Sequence, residues 1–159
     1  MTISAVILTH NNKDSITPFI RQLSWCDTVI VVDDQSTDTT VRLARRAKAK
    51  VFTRPLKHNF AAQRNFALQQ VKSDWALFID IDEVVTPALT REIKSKLKSG
   101  FNGFFIKRVD YFLGKRLRFG ETGNIKLLRL ARAGTWKHAV HEIWQVKPPL
   151  GELKSPLYH

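Results

Sequence analysis

The strongest constraint on this chain is an alternation that runs through its first hundred residues, in which short apolar runs alternate with polar turns and helical periodicity. Residues 3–8 form a near-continuous apolar run, the pattern of a parallel strand covered on both faces. It stops at Thr9-His10-Asn11-Asn12, after which Ile16, Phe19, Ile20 and Leu23 recur at helical spacing, with Asp14 or Ser15 as N-cap and Pro18 in the first turn. Residues 28–32 repeat the strand pattern, end in Asp33-Asp34-Gln35-Ser36-Thr37-Asp38, and lead to a helix with Thr40, Leu43, Ala44 and Ala47 on one side. A third strand over 51–53 and a third helix over 59–71 precede a fourth strand over 75–79, which runs into Asp80-Ile81-Asp82-Glu83. The next helix has clear ends: Thr86 caps it, Pro87 takes N1, Leu89, Ile93 and Leu97 make the buried stripe, and Gly100 closes it. Strands joined through helices need crossovers, so the pattern predicts an α/β fold with a mostly parallel sheet and helices on both faces. Ligands are then expected outside the carboxyl ends of the strands.

From residue 101 the pattern turns β-rich. Residues 104–106, 109–112, 125–130 and 139–144 are strand-like, 113–115 reads as a hairpin turn, and Pro148-Pro149 with Pro156 predicts an extended, mobile end. No repeat or Gly/Ser-rich linker divides the 159 residues, a length that suits one domain. Hydrophobic residues at 43%, charged residues at 25% and a mean hydropathy of −0.22 exclude disorder. The excess of 26 Lys+Arg over 14 Asp+Glu, a net +12, favours an anionic partner: nucleic acid, a phosphorylated substrate or an acidic membrane face. One cysteine, Cys26, excludes an intramolecular disulfide and a multi-cysteine zinc site and makes a reducing cytoplasm the default compartment. Residues 1–8 lack a basic n-region, and no run approaches the roughly 20 apolar residues of a membrane span. The expectation is a chain neither exported nor membrane-spanning. Neither G-x-G-x-x-G nor a Walker A sequence is present, which excludes a nicotinamide or flavin dinucleotide site and a P-loop.

Four polar clusters carry chemistry. Asp80 and Asp82 flank one apolar residue at a strand end, so in extended backbone both carboxylates share a face, an arrangement suited to Mg²⁺ or Mn²⁺ with substrate phosphates completing the shell. A solvated strand end or a capping run explains the same pair. Asp33, Asp34 and Asp38 can accept from ribose hydroxyls or a base edge, with Asp34 the better candidate, because Asp38 reads equally as a helix cap. Arg54, Lys57, His58, Gln63 and Arg64 surround the start of the third helix, where amide groups and the helix dipole favour a diphosphate; a solvated basic surface is the competing reading. His138, His141 and Glu142 lie in an aromatic-rich segment suited to a general base, and in an extended strand His141 and Glu142 point to opposite faces.

The order and spacing of five motifs resemble family 2 glycosyltransferases of the GT-A fold, especially the lipopolysaccharide core glucosyltransferases. The motifs are Ile7-Leu8-Thr9-His10-Asn11, Val31-Val32-Asp33-Asp34-Gln35-Ser36-Thr37-Asp38, Asn59-Phe60-Ala61-Ala62-Gln63-Arg64-Asn65, the run from Trp75 to Glu83, and Val140-His141-Glu142. The resemblance implies Thr9, Asn11 and Asp34 at the nucleotide, Gln63 and Arg64 near the nucleotide or diphosphate, and Asp80 with Asp82 at a metal-bound diphosphate, with Asp82 the metal ligand. It implies Glu142 as catalytic base, with His141 and Asp38 as additional site residues. The family often has Asn-Glu where this chain has Asn11-Asn12, which removes a carboxylate beside the nucleotide. Relatives usually continue past the segment matching 156–159 into further helices, so a truncated core is expected.

The implied protein is a Rossmann-like GT-A domain over 1–159, with a nucleotide-binding half (1–100) and a β-rich acceptor-side half (101–159). Its implied activity is metal-dependent inverting transfer of glucose from UDP-glucose, with Mn²⁺ or Mg²⁺ as cofactor. The acceptor is an anionic glycolipid or oligosaccharide, and the location is the cytoplasm, at the inner face of the membrane. Lys94, Lys96, Lys98, Arg116, Arg118, Arg129 and Arg132 are candidates for the basic surface that faces acceptor or membrane. Two rival readings are a nucleotidyltransferase, which usually carries a Gly-rich phosphate loop absent here, and a non-catalytic nucleic-acid binder, which leaves the strand-end carboxylates unexplained. No nucleic-acid partner is expected.

Overall fold

The structure, a computed structural model, describes residues 1–112, 115–117 and 125–159. In chain order it contains β1 (Ile3–Thr9), α1 (Ile16–Gln22), β2 (Thr28–Asp33), α2 (Thr40–Arg46), β3 (Lys50–Thr53), α3 (Phe60–Gln70), β4 (Trp75–Phe78) and α4 (Pro87–Lys96). The β-rich part supplies β5 (Gly103–Val109), β6 (Tyr111–Phe112), β7 (Lys115–Arg116), β8 (Lys126–Ala131), β9 (Thr135–Lys137), β10 (Ile143–Gln145) and β11 (Leu150–Tyr158). Seven strands form one sheet in the order β11-β5-β8-β4-β1-β2-β3. Strand β8 runs antiparallel to β4 and β5, and the other pairings are parallel.

The apolar runs have a direct cause in the layering. Ile3, Ala5 and Ile7 of β1 pack into a core shared with Ile16, Phe19 and Ile20 of α1, Ala44 of α2, and Leu89 and Ile93 of α4. Val6 points the other way, into a second core with Ala61 and Ala67 of α3 and with Trp136 and Trp144. Both faces are therefore covered, which is why the strand shows no polar alternation.

That second core holds the β9–β10 hairpin, since a two-stranded ribbon is marginal without a surface to pack on. Trp136 and Trp144 stack at 5.2 Å and both meet Phe78 edge-on. The side chain of Asn65 exchanges two hydrogen bonds with the Trp136 backbone.

Several expectations change against the structure. Helix α4 begins as read, with Thr86 Oγ1 accepting from Leu89 N at 3.1 Å, but its C-cap is Leu97 and Gly100 lies beyond it. The segment expected to be a mobile end is β11, an edge strand pairing with β5 from Leu150↔Gly103 to Tyr158↔Val109. Its register shifts between Leu153 and Leu157, around Pro156, which has no N–H for a ladder. Glu92 of α4 accepts from the Lys154 and Ser155 amides at that point, and Leu153 and Leu157 are buried. The expected strand over 139–144 begins only at Ile143, because His138 and His141 take left-handed conformations (φ 67° and 54°) that break extended geometry. β6 and β7 pair antiparallel, and Leu113 and Gly114 of the turn expected over 113–115 lie outside the described residues.

Candidate active site

The carboxyl ends of β1 and β2 are brought level by the pairing Thr9↔Asp33. Beyond them lies a cavity of about 280 Å³, lined by Leu8, Thr9 and Val32 from the strands, by Asp34 just past β2, and by Asn12, Leu56, Phe60 and Gln63, among others. Asp34 N donates to Thr9 O, and Asp34 Oδ1 accepts from Leu56 N, so this loop is built around the carboxylate. Gln63 is buried and clamped by Arg54, donating to its carbonyl at 2.7 Å and accepting from its Nη1 at 2.6 Å.

Thr9, Asp34 and Gln63 thus converge, whereas Asn11 and Asp38 do not join them. Asn11 Oδ1 accepts from Thr37 N at 2.8 Å and ties the first βα loop to the second, while its neighbour Asn12 lines the cavity. Asp38 accepts from the Thr40 and Lys13 amides, and the bond to Thr40 holds its carboxyl below the usual range. Asp33 is buried and closes its own turn onto Ser36. The amides expected to cradle a diphosphate are partly spent, since Phe60 N donates to Ala139 O and Ala62 N to the Asn59 cap. Lys57 and His58 are exposed in the turn that enters α3.

A larger cavity, about 590 Å³, opens beside the second core. Its lining mixes charged side chains, among them Arg64, Asp80, Arg129, His141 and Glu142, with apolar ones such as Phe105, Leu127, Leu150 and the two tryptophans. His141 and Glu142 both reach this cavity, contrary to the opposite-face expectation, because the left-handed His141 turns the chain between them.

Asp80 and Asp82 do not share a face. The chain leaves extended geometry after Phe78, and Glu83 N closes a turn onto Asp80 O at 3.0 Å, so the two carboxylates diverge. Asp80 is gripped by Arg64 Nη2 at 3.2 Å and by Arg129 Nη2. Burial opposes its ionisation, but the Arg129 and Arg64 cations outweigh burial and hold its carboxyl down at about 2. Glu83 is fully buried beneath it, accepting from Asp80 N at 2.8 Å and Arg129 Nη2 at 2.8 Å, and burial pushes its carboxyl up. Arg129 is therefore an interior residue, not part of the expected basic surface. Arg132 is spent on the Leu97 carbonyl and the Trp75 ring, and Arg118 lies outside the described residues.

Arg64 reaches two acids at once. Its Nε donates to Glu142 Oε1 at 2.7 Å while Nη2 holds Asp80, and its guanidinium lies 4.8 Å from the Trp136 ring centroid.

Asp82 is exposed, at 64% of its side chain, and faces His159 Nε2 at 3.2 Å; His159 Nδ1 meets Asp110 Oδ1 at 2.9 Å. Sequence reasoning missed His159 and Asp110, because only the β11–β5 register brings them to the turn after β4. Among the described residues no three acidic, histidine or cysteine side chains converge as a metal cage. Asp80 has both oxygens committed to arginines, which leaves the Asp82 carboxylate and the His159 imidazole as an oxygen–nitrogen donor pair. That pair fits a divalent cation whose remaining ligands come from phosphate and water.

An open, mostly parallel sheet with a cavity at the carboxyl ends of its first two strands is the architecture of GT-A nucleotide-sugar transferases. The chain belongs to Glycosyl transferase family 2, whose profile matches residues 4–146. It is 39% identical over 93 residues to an uncharacterised glycosyltransferase of Rickettsia typhi, covering 58% of this chain and 32% of that one. It is 28% identical over 154 residues to the lipopolysaccharide core biosynthesis glycosyltransferase LpsC of Rhizobium meliloti, covering 89% of this chain and 56% of that one. The chain therefore spans about a third of the first relative's length and about half of the second's. A solved structure with the same fold is glucosyl-3-phosphoglycerate synthase of Mycobacterium tuberculosis with Mn²⁺, UDP and glucosyl-3-phosphoglycerate, at a TM-score of 0.57 and 24% identity, covering 69% of this chain and 44% of that one. Among the described residues no helix is long and apolar enough to cross a membrane.

Proposed function

We propose that this chain moves a hexose, glucose foremost, from a UDP-sugar to an acceptor hydroxyl with inversion. The observation that carries the reading is a carboxylate pair, Asp80 and Glu142, joined through Arg64 in the lining of the large cavity, in a chain whose Thr9, Asp34 and Gln63 line a second one. In this reading residues 1–100 form the donor half and 101–159 the acceptor half of one domain. The smaller cavity takes the nucleoside, with Asp34 and Thr9 accepting from its hydroxyl and N–H groups. Glu142 has one oxygen on Arg64 and no partner on Oε2 among the described residues, so Oε2 removes the acceptor hydroxyl's proton as it attacks the anomeric carbon. A single displacement inverts that centre. Asp82 and His159 would hold a Mn²⁺ or Mg²⁺ ion, which would neutralise charge on the departing diphosphate.

The likeness to LpsC supports an anionic core oligosaccharide or glycolipid as acceptor. The +12 charge supports a cytoplasmic protein working at the anionic inner face of a membrane, with the exposed Lys94 and Lys98 of the α4 region turned toward it.

Calorimetric titration of UDP, ADP and GDP with and without Mn²⁺ tests this reading. UDP should bind with metal-dependent preference; Asp82→Asn should remove the metal dependence, and Glu142→Gln should keep binding while abolishing transfer. Absence of binding to all three nucleotides would overturn the donor-site reading, and equal loss of binding in both variants would overturn the base assignment.

A further inference from the structure

Glu142 lies in a segment that its own backbone does not hold in place. Between β9 and β10, His138 and His141 are left-handed at φ 67° and 54°, a state that non-glycine residues keep only where the surroundings impose it. Apolar burial does not impose it, since Val140 is 59% exposed and Ile143 57%. Two polar contacts tie this segment to α3: Ala139 O accepts from Phe60 N at 2.9 Å, and Glu142 Oε1 accepts from Arg64 Nε at 2.7 Å.

Arg64 is the opposite case, held on every side. It is 7% exposed, its guanidinium sits over Trp136 and Phe78, and Nη2 is bonded to Asp80. A planar guanidinium forking to two carboxylates fixes both the distance and the plane of each, which a lysine ammonium does not.

We infer that Arg64 is the positioning residue of this site: it pins residues 138–142 through Glu142, aims the free Oε2 into the large cavity, and yokes that acid to Asp80 at the end of β4. The inference rests on Glu142 being the base, and it gives Arg64 a task different from the diphosphate contact that the family resemblance implies. An acid carried on an exposed, left-handed segment is then placed by a residue anchored in the aromatic core. Displacing a reacting group by about 1 Å costs on the order of 10²-fold in rate, so the loss of this pin is read in turnover while donor affinity stays.

The experiment compares wild type, Arg64→Met and Arg64→Lys in three measurements: amide hydrogen exchange over 138–142, UDP affinity with Mn²⁺, and UDP release from UDP-glucose with water as acceptor. In Arg64→Met, exchange at 138–142 should rise about tenfold or more while β1 and β2 stay protected. UDP affinity should change less than about threefold, and kcat for UDP release should fall about 10²-fold with little change in KM. Arg64→Lys should fall between the two, and Arg64→Met combined with Glu142→Gln should be no slower than Glu142→Gln alone, because Arg64 acts through Glu142. Unchanged exchange at 138–142 in a folded variant overturns the inference whether or not the enzyme turns over. A UDP affinity weakened more than about tenfold with unchanged exchange makes Arg64 a diphosphate ligand instead. If wild type neither binds nor releases UDP, the proposed function fails, and the exchange comparison still decides whether Arg64 holds the segment. Should Arg64→Met fail to fold, Arg64→Lys carries the same comparison.

Discussion

Replacing Arg129 with methionine keeps most of its volume and removes its charge from between two acids. Glu83 is the decisive partner, because its side chain is wholly buried and that of Arg129 is 6% exposed. Asp80 is 36% exposed and retains Arg64, so its share is screened and smaller. Breaking a buried pair by removing one member costs about 3–5 kcal/mol, a large part of the roughly 5–15 kcal/mol that holds a domain folded. At about 2–4 °C per kcal/mol for a chain of this size, the melting temperature should drop by roughly 6–20 °C.

The pH dependence separates lost charge from lost packing. The Glu83 carboxyl already stands above its ordinary 4.5 through burial, and losing the cation raises it further. An acid whose folded-state value exceeds its unfolded one is most destabilising when ionised, so the variant regains stability as pH falls through the raised value toward 4.5. Urea or thermal melts of both proteins from pH 8 to pH 5 should therefore show a gap widest at pH 8 that narrows on acidification. Adding Glu83→Gln to the variant should recover at least half the loss, since Gln still accepts from Asp80 N. A gap independent of pH, with no recovery in the double variant, would refute the argument and leave a packing defect as the cause.

Gly134→Ala should destabilise the β9–β10 hairpin by about 1–3 kcal/mol, because an added Cβ would stand 2.5 Å from the Gln145 carbonyl oxygen; chemical denaturation measures it. Burial, with Asp27 adding to it, pushes the Cys26 thiol up to about 12, so a thiol-specific chromogenic reagent at pH 8 should react only as fast as the protein opens, and rapid labelling of native protein would contradict its burial. Below about pH 4 the arginine grip on Asp80 should weaken, since a carboxyl held at about 2 contributes stability that is present above its ordinary 3.8 and lost as pH falls toward 2; acid melts of wild type and Asp80→Asn should converge there.

Whatever local sterics and short-range periodicity control in this protein is legible in its amino-acid order. The order of strands and helices through α4, the Thr86 cap with Pro87 behind it, the double-sided burial of β1 and the family motifs are all set within windows of a few residues. Local signals also brought Asp34 and Gln63 forward as site candidates, the family resemblance added Thr9, and the three meet in one cavity.

Tertiary structure decided the partners. Arg64 meets Glu142 across 78 positions, Arg129 meets Asp80 across 49, and His159 meets Asp82 across 77. Such meetings depend on sheet register and on which face of the sheet each element packs, and a shift of one residue in a strand reverses every side chain on it. The separation of Asp80 from Asp82 has the same origin. Their spacing promised a shared face in an extended strand, but buried Glu83 and Arg129 pull the chain into a turn, because an interior cation and its carboxylates must satisfy one another before the backbone can follow its local preference.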